Sequence, residues 1–246
     1  MCTILIAWRC LEDADFVVAG NRDELVARPA AGPARLSEQP AVFGGLDLLA
    51  GGTWLAVRAD GALAAVTNRR ADTQDEVMRD PSLRSRGELP LVVLREAAGV
   101  HAALQGVRAR DYNPFNLLVI DSGAALVGHA AGAEELRVVE LEPGLHVLCV
   151  HDVDDARHSK EVRIRERLSH DLHDVHQAGV CVSRMTALLG DHDTAGGDDR
   201  DAVCIHGDEY GTVSASAVWK ERSGRLQYTH APGRPCVTPF VPVALA

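Results

Sequence analysis

The first third of the chain alternates short apolar runs with polar turns, the pattern of antiparallel hairpins. Residues 2–7 and 16–19 are β-rich runs joined by an acidic turn, which predicts one hairpin. Residues 53–58 and 63–68 flank an Asp-Gly turn, which predicts a second. The Pro-, Ala- and Gly-rich residues 28–40 between them predict irregular chain. Two hairpins this close in sequence indicate an antiparallel sheet.

Helical periodicity begins after the second hairpin. It predicts helices over residues 87–98, 101–107, 157–172 and 183–189. The inward-facing positions are Leu89, Val92, Val93 and Ala97 in the first helix and Val162, Ile164 and Leu168 in the third.

Strand patterns return between and after these helices. They cover residues 116–120, 125–128, 136–141, 145–150, 202–206, 212–220 and 225–230, and the acidic residues 191–201 form a loop. Blocks of strands separated by blocks of helices predict α+β layers with a mostly antiparallel sheet. No repeat or linker interrupts this order, so we expect one domain over residues 1–246.

Composition narrows the class of protein. The chain has 246 residues, 46% hydrophobic and 24% charged, the usage of an ordinary globular protein. A net charge of −10 argues against a basic face for nucleic acid, and no apolar run approaches the roughly 18 residues of a membrane span. The six cysteines form no Cys-x-x-Cys pair, and no leader pattern opens the chain. We therefore expect a cytoplasmic protein whose partner is a small-molecule substrate, with a homodimer left open.

The second residue carries the first candidate chemistry. Removal of Met1 would leave Cys2 at the amino terminus, with a thiol and an α-amine on one carbon. The amine has a pKa of about 7.7–8.0 and the thiol of about 8.5, so the amine can accept the thiol proton. The alternative is a cysteine at position two by chance, so other residues have to support this site.

Two further segments supply groups that such a thiol needs. Arg22 and Asp23 follow the strand predicted to pair with the Cys2 strand. An arginine beside a thiol favours the thiolate, and an aspartate can hold the α-ammonium. Asn68 ends another strand, and its amide can donate to an oxyanion. Taken alone, the charged pair has the simpler interpretation of a solvated surface, and Asn68 that of a turn former.

These residues stand in segments that together resemble the NRDE family, which includes transport-and-Golgi-organisation protein 2 homologues. The segments are Met1-Cys2, Gly20-Asn21-Arg22-Asp23-Glu24 with Arg28-Pro29, Gly51-Gly52-Thr53-Trp54-Leu55, Thr67-Asn68-Arg69, Ser85-Arg86-Gly87, Asn113-Pro114-Phe115-Asn116-Leu117-Leu118, Pro143-Gly144-Leu145-His146 and Tyr210-Gly211-Thr212. The resemblance implies an N-terminal-nucleophile (Ntn) hydrolase fold, a four-layer αββα sandwich with two antiparallel sheets. It also implies an amidase-type hydrolase or acyltransferase that acts on an amide or related acyl bond without a cofactor.

The resemblance also implies roles for single residues. Cys2 matches the nucleophile of the cysteine Ntn amidases, such as penicillin V acylase and bile salt hydrolase. Arg22, Asp23 and Asn68 match groups beside that nucleophile. The residues expected to contact substrate are Asn21, Thr53, Trp54 and His151.

Two positions depart from the family pattern. Where the family usually has Ser-Asn after Pro-Gly-Leu-His, this chain has Cys149 and Val150, and where it usually has Arg after Tyr-Gly-Thr, this chain has Val213. The Cys2 centre is retained. The two lost polar groups keep open a second class of function, non-catalytic binding or trafficking of haem or of a lipid or acyl thioester, to which the family has been linked.

Histidines form a separate pattern. His170, His173 and His176 recur every third residue, and His192 follows. Imidazoles on one helical face can bind zinc or haem iron, but the surrounding residues are polar on most sides, as at a solvated helix end. We therefore predict no metal ligand.

Overall fold

The computed structural model describes residues 2–70, 80–96, 99–132 and 136–245, so the predictions for Met1 and Ala97 lie outside the described residues. The strands are Thr3–Trp8 (β1), Ala14–Leu25 (β2), Ala30–Glu38 (β3), Ala41–Asp47 (β4), Leu55–Arg58 (β5), Leu63–Asn68 (β6), Phe115–Ile120 (β7), Ala125–Ala130 (β8), Arg137–Glu140 (β9), Gly144–Leu148 (β10), Tyr210–Glu221 (β11), Leu226–Ala231 (β12) and Val241–Pro242 (β13). The α-helices are Leu89–Arg95 (α1), Val100–Gln105 (α2), Ser159–Leu172 (α3) and Ala178–Leu189 (α4).

The described strands form two antiparallel sheets. The first has six strands in the order β10-β1-β2-β11-β12-β13, and the second has seven in the order β3-β4-β5-β6-β7-β8-β9. Both predicted hairpins are confirmed, as β1 with β2 and as β5 with β6. On its other side β2 pairs with β11, so the beginning and the end of the chain lie side by side in one sheet.

Apolar side chains divide between the faces of each sheet. Along β1, Leu5 and Ala7 pack against α3 and α4, whereas Ile4 and Ile6 pack between the two sheets, because successive side chains of a strand point to opposite faces. Helices α1 and α2 cover the outer face of the second sheet. The layers therefore run helix, sheet, sheet, helix, and the α+β class and the αββα sandwich are confirmed.

The prediction of irregular chain over residues 28–40 is wrong, because Ala30–Glu38 forms β3. This strand lies at the edge of its sheet, and its register with β4 shifts between Ala31 and Ala34, on either side of Pro33. A proline that lacks an N–H is tolerated at an edge strand or a bulge. The Pro-, Ala- and Gly-rich composition of residues 28–40 is thus compatible with an edge strand.

The strand predicted over residues 202–206 is also wrong. Residues 202–205 are buried, but Cys204 N donates to Asp191 O at 2.8 Å and Ile205 N donates to Thr212 Oγ1 at 2.9 Å. The segment is therefore held by individual hydrogen bonds to a loop and to a side chain, and not by regular pairing with a neighbouring strand. A short buried apolar run has the same sequence pattern in either case.

The helix faces agree with the pattern except at one position. Leu89 and Val93 of α1 are buried, as predicted, but Val92 is 44% exposed, so its predicted inward position is wrong. In α3, Ile164 and Leu168 are buried and Val162 is half-buried. No helix in the described ranges is long and apolar enough to cross a membrane.

The layer assignment predicts a contrast between two apolar side chains. Phe43 is fully buried between the sheets, so Phe43→Ala should lower the free energy of unfolding by about 3–5 kcal/mol. Val92→Ala on the solvent face of α1 should change it by less than about 0.5 kcal/mol. Urea unfolding followed by circular dichroism measures both, and equal losses would contradict the assignment.

Candidate functional site

A cleft of about 590 Å³ opens at the end of the sandwich where β1 begins and β6 ends, and both sheets contribute to its walls. The first sheet supplies residues of β2, β11 and β12, and the second supplies residues of β3, β4 and β6. Of the predicted site residues, the cleft is lined by Cys2, Arg22, Asp23, Thr53, Trp54 and Asn68.

Cys2 stands directly before β1, whose first pair, Thr3 with Asn21, ties this end of the chain to β2. Alternation along the strand places Cys2 on the same face as Ile4, towards the space between the sheets. Its Sγ lies 3.9 Å from the backbone oxygen of Asp23. Burial raises the pKa of the Cys2 thiol, so the thiol is protonated at neutral pH and needs a base before it can attack.

Asp23 is the buried acid of the cleft. Its carboxyl accepts a hydrogen bond from Thr212 Oγ1 at 2.6 Å, and its backbone oxygen accepts one from the Tyr210 hydroxyl at 3.2 Å. Burial raises the pKa of Asp23, while the Thr212 hydrogen bond and the charge of Lys160 act in the opposite direction. A carboxyl held rigidly beside Cys2 is suited to orient a cationic group at the same place.

Arg22 and Arg28 approach one carboxylate in the cleft wall. Arg28 Nε donates to Asp47 Oδ2 at 2.7 Å, whereas Arg22 Nη2 lies 4.0 Å from the same oxygen. Arg22 is 9% exposed. Within the described residues its guanidinium has no closer polar contact, so its donors are available to an anionic group in the cleft.

A β-bulge shapes the wall opposite Asp23. Thr212 pairs with Asp23 and Ser214 pairs with Arg22, so Val213 is an extra residue in β11, and a bulge of this kind redirects a side chain. Val213 lines the cleft and presents a methyl surface where the family usually has an arginine. Val150, the other departure, is buried outside the cleft lining, and its carbonyl accepts a hydrogen bond from Arg70 N at 2.8 Å.

The second sheet brings three predicted residues to the cleft. Asn68 is the last residue of β6, where it pairs with Phe115, and it is exposed. Thr53 Oγ1 donates to Leu55 O at 2.9 Å, which fixes the wall. Trp54 packs against the core between the sheets and gives the cleft an aromatic surface.

Two predicted substrate-binding residues lie outside this lining. Asn21 Nδ2 donates to the carbonyls of Leu189 and Val203, both at 2.9 Å. His151 Nδ1 lies 2.7 Å from Glu161 Oε1, and its ring stacks on His158 with centroids 3.3 Å apart. Asn21 and His151 thus contact the helix layer and its connections. Adjacent residues of a strand point to opposite faces, which separates Asn21 from Arg22.

Sequence reasoning did not single out several groups of the cleft. Thr212 could have been found from the Tyr-Gly-Thr segment, because its hydroxyl holds the predicted Asp23. Asp47 and His230 also line the cleft, but no motif surrounds them. Asp47 is placed by the β3–β4 hairpin, and His230 by the pairing of β12 with β11.

The three regularly spaced histidines lie at the end of α3 and beyond it. His170 Nδ1 is 3.1 Å from Asp171 Oδ1, and His173 Nδ1 is 2.8 Å from His170 O. Their ring centroids are 6.2 Å apart, and His170, His173 and His176 are all exposed. These contacts within the helix are typical of a solvated helix end.

Comparison with known sequences gives matches over most of the chain. A model of the Transport and Golgi organisation 2 family matches residues 1–231. The bovine Transport and Golgi organization protein 2 homolog is 34% identical over 141 residues, which cover 54% of this chain and 49% of that protein. The human homolog is 30% identical over 141 residues, with the same shares of 54% and 49%. The matched segment thus spans about half the length of these relatives.

Comparison with solved structures gives Ntn hydrolases. An N-acylethanolamine-hydrolyzing acid amidase ortholog from Caenorhabditis elegans has a TM-score of 0.60 at 13% identity, covering 88% of this chain and 92% of that one. Penicillin V acylase from Agrobacterium tumefaciens has a TM-score of 0.55 at 10% identity, covering 94% of this chain and 83% of that one. At these identities the likeness establishes the fold, and the chemistry has to be argued from the residues.

The raised pKa of Asp23 predicts that the free energy of unfolding falls as this carboxyl becomes ionised. Because the folded pKa exceeds the unfolded one, the native state binds more protons, and stability falls as pH rises from about 4 through the folded pKa. Asp23→Asn lacks this loss. The free energy of unfolding of the variant minus that of the wild type should therefore be larger at pH 7 than at pH 4. Urea unfolding at both pH values measures the gap. The exposed Asp208→Asn is the control, and a gap that narrows with rising pH would contradict the prediction.

Proposed function

The chain belongs to the Transport and Golgi organisation 2 family and has the Ntn-hydrolase fold, and from that premise we propose that it is a cysteine Ntn hydrolase or acyltransferase. Its substrate is a small molecule with an amide or related acyl bond, and Cys2 is the nucleophile. The observation that carries the proposal is the position of the Cys2 thiol, at the head of β1, in a cleft, 3.9 Å from the backbone oxygen of the buried Asp23.

The base in this proposal is the α-amine of Cys2, released when the chain before Cys2 is removed. The raised pKa of the thiol requires a base, and an amine on the same residue lies within reach of the sulfur when the side chain adopts a χ1 near +60° or −60°. Asp23, fixed by Thr212, orients that amine. The amine titrates near neutral pH, which suits proton transfer in both directions.

The reaction then proceeds in two stages. The sulfur of Cys2 forms a bond to the substrate carbonyl carbon as the thiol proton passes to the α-amine. The resulting ammonium returns the proton to the leaving nitrogen, the C–N bond breaks, and an acyl-enzyme remains. Water then attacks the thioester and releases a carboxylic acid, or an acceptor amine attacks and the acyl group is transferred; in both cases Cys2 regains its thiol proton.

Other cleft residues take supporting roles. Asn68, at the end of β6, donates its amide to the oxyanion of the tetrahedral intermediate. Arg22 holds the thiolate or a carboxylate of the substrate, because its guanidinium is buried and approaches Asp47 only to 4.0 Å. Thr53 and Trp54 form the wall against which the acyl part of the substrate packs.

N-acyl amides are the first substrates to test. One structural neighbour is named for the hydrolysis of N-acylethanolamines, and another is a penicillin V acylase. The cleft combines Trp54 and Val213 with Arg22, whose guanidinium approaches Asp47 only to 4.0 Å. An acyl compound with an anionic group matches this lining better than a neutral one.

The free thiols fit the proposed cytoplasmic location. All six cysteines, at positions 2, 10, 149, 181, 204 and 236, are unpaired thiols. Proteins of reducing compartments keep their cysteines in this state.

A second candidate function, binding without turnover, is supported by Val213. This apolar side chain lines the cleft of about 590 Å³ and stands where the family usually places a charge. The ligand would be a lipid, an acyl thioester or haem. For haem, the described lining offers Cys2 and His230 as iron ligands and Arg22 as a partner for a propionate.

The nucleophile predicts the state of the amino terminus. The mass of the intact purified protein should lack Met1, and Cys2 should be alkylated by iodoacetamide before the buried Cys149 and Cys181, because Cys2 alone of these three lines the cleft. Peptide mass spectrometry follows each thiol over time. A retained Met1 would refute the Ntn mechanism, because the α-amine of Cys2 would remain in a peptide bond.

Turnover of N-acyl amides predicts a graded effect of two substitutions. Cys2→Ala should abolish turnover, and Asn68→Ala should lower kcat by about 10²–10³-fold through loss of an oxyanion donor. The exposed Cys10→Ala is the matched control and should keep wild-type rates. Ligand binding by all four proteins without turnover by any of them would favour the binding function instead.

A further inference from the structure

A second cluster of chemically reactive side chains lies outside the cleft lining. His192, Cys204, His206 and Cys236 bring one ligand atom each to a common point, and these four atoms all lie within 4.8 Å of one another. Cys204 Sγ is 3.6 Å from Cys236 Sγ, and His206 Nε2 is 3.2 Å from Cys236 Sγ. The rings of His192 and His206 meet edge to face, with centroids 4.7 Å apart.

These separations match those between the ligands of a single tetrahedral metal ion. With Zn–S bonds of about 2.3 Å and Zn–N bonds of about 2.0–2.1 Å, a tetrahedron places two sulfurs about 3.8 Å apart and a sulfur and a nitrogen about 3.6 Å apart. The Cys204–Cys236 and His206–Cys236 distances lie close to these values. All separations in the cluster are at most 4.8 Å, so a contraction of no more than about 1.4 Å brings each pair to a tetrahedral separation. We propose that His192, Cys204, His206 and Cys236 form a binding site for a zinc ion.

The donor set selects the kind of metal. Two thiolates and two imidazoles suit zinc, whereas magnesium and calcium require oxygen ligands. Four protein ligands leave no open position, which is the arrangement of a structural site. Cys204 is buried, Cys236 is half-buried and both histidines are exposed, so the ion enters from solvent and is closed in by the two imidazoles.

The ion would join three separate parts of the chain. His192 follows α4, Cys204 and His206 lie in the segment before β11, and Cys236 lies after β12. The parts already touch, because Cys204 N donates to Asp191 O at 2.8 Å and Gly190 packs against the backbone of Cys236. A β-carbon at Gly190 would lie 3.3 Å from Cys236 Cα.

The segment that this site would hold supports the cleft from behind. Val203 O accepts a hydrogen bond from Asn21, Ala202 O accepts one from Lys160 at 2.8 Å, and Ile205 N donates to Thr212 Oγ1. Thr212 in turn donates to Asp23. Residues 190–209 belong to no strand of either sheet. The zinc site would therefore stabilise a segment that lacks strand-to-strand hydrogen bonds.

Linear spacing conceals this site. One residue separates Cys204 from His206, His192 lies before them, and strands β11 and β12 separate them from Cys236. This order matches none of the short ligand spacings of zinc fingers. The histidines that attracted attention as ligands, at positions 170, 173 and 176, are not members of the cluster. Of the four residues, only His192 belongs to the histidine pattern of the sequence.

Metal titration of the full chain tests the proposal. The protein is reduced with a phosphine, freed of metal with a chelator and titrated with Zn²⁺ against a chromophoric competitor, and in parallel with Co²⁺. The wild type should bind one Zn²⁺ per chain. Its Co²⁺ form should show visible ligand-field bands and a sulfur-to-cobalt charge-transfer band of a tetrahedral thiolate site. Zinc should also raise the melting temperature, since it binds the native state.

The variants are chosen among ligands that do not fill the core. Cys236→Ser and His206→Gln should each lose the stoichiometric ion, the cobalt spectrum and the zinc-dependent rise in melting temperature. Cys10→Ser and His173→Gln, which change an exposed cysteine and an exposed histidine outside the cluster, should keep all three.

Two results would overturn the proposal. The first is a reduced wild type that takes up no zinc, whether or not the mass and thiol count of the native protein show a Cys204–Cys236 disulfide. The second is uptake that survives Cys236→Ser or disappears with His173→Gln.

Discussion

Strand β2 is the constraint on which the site depends, because its two neighbours in the sheet bring Cys2 and the cleft residues of β11 to it. It lies between β1 and β11, and most of the side chains on each of its two faces are buried. Pairing with β1 brings Cys2 to the end of β2 where Arg22 and Asp23 stand. Pairing with β11 brings Thr212 to Asp23 from the far end of the chain. A one-residue register error in either pair would turn the side chains of the shifted strand to the opposite face.

Burial sets the protonation of the two central groups in the same direction. It raises the pKa of the Cys2 thiol and of the Asp23 carboxyl, so the neutral form of each is favoured. Arg22 and Lys160 act against this effect through their positive charges, Arg22 on the thiol and Lys160 on the carboxyl. The site therefore combines a buried thiol and a buried carboxyl with nearby cations. Such surroundings keep a thiol protonated until a base takes the proton.

The cleft residues of β2 are held in place by strand pairing with β1 and β11. The segment between α4 and β11, which lies behind them, is held by individual hydrogen bonds. Asn21 donates to Leu189 and Val203, and Thr212 accepts from Ile205 while it donates to Asp23. Lys160, buried on α3, donates to the carbonyls of Arg200 and Ala202. The segment between α4 and β11 thus links the helix layer to the cleft. Asn21 belongs to this scaffold and lies outside the cleft lining.

Local pattern was sufficient for most of the fold. Both early hairpins, the four helices and the later strands 116–120, 125–128, 212–220 and 225–230 follow from periodicity and turn residues, because burial on one face imposes a period on the sequence. The pattern failed for β3 and for residues 202–206. In both places the outcome depends on what lies beside the segment, an open sheet edge in one and isolated hydrogen-bond partners in the other.

The sequence by itself determined the family, the layer class and six of the residues that line the cleft, since these follow from motifs and from local burial. The tertiary structure decided which neighbouring residues face the cleft. It turned Asn21 and His151 towards the helix layer, brought Asp47 to the cleft and Thr212 to Asp23, and collected His192, Cys204, His206 and Cys236 at one point. The physical reason is that a strand's alternation is local, whereas its register and its partners are set by contacts between distant parts of the chain.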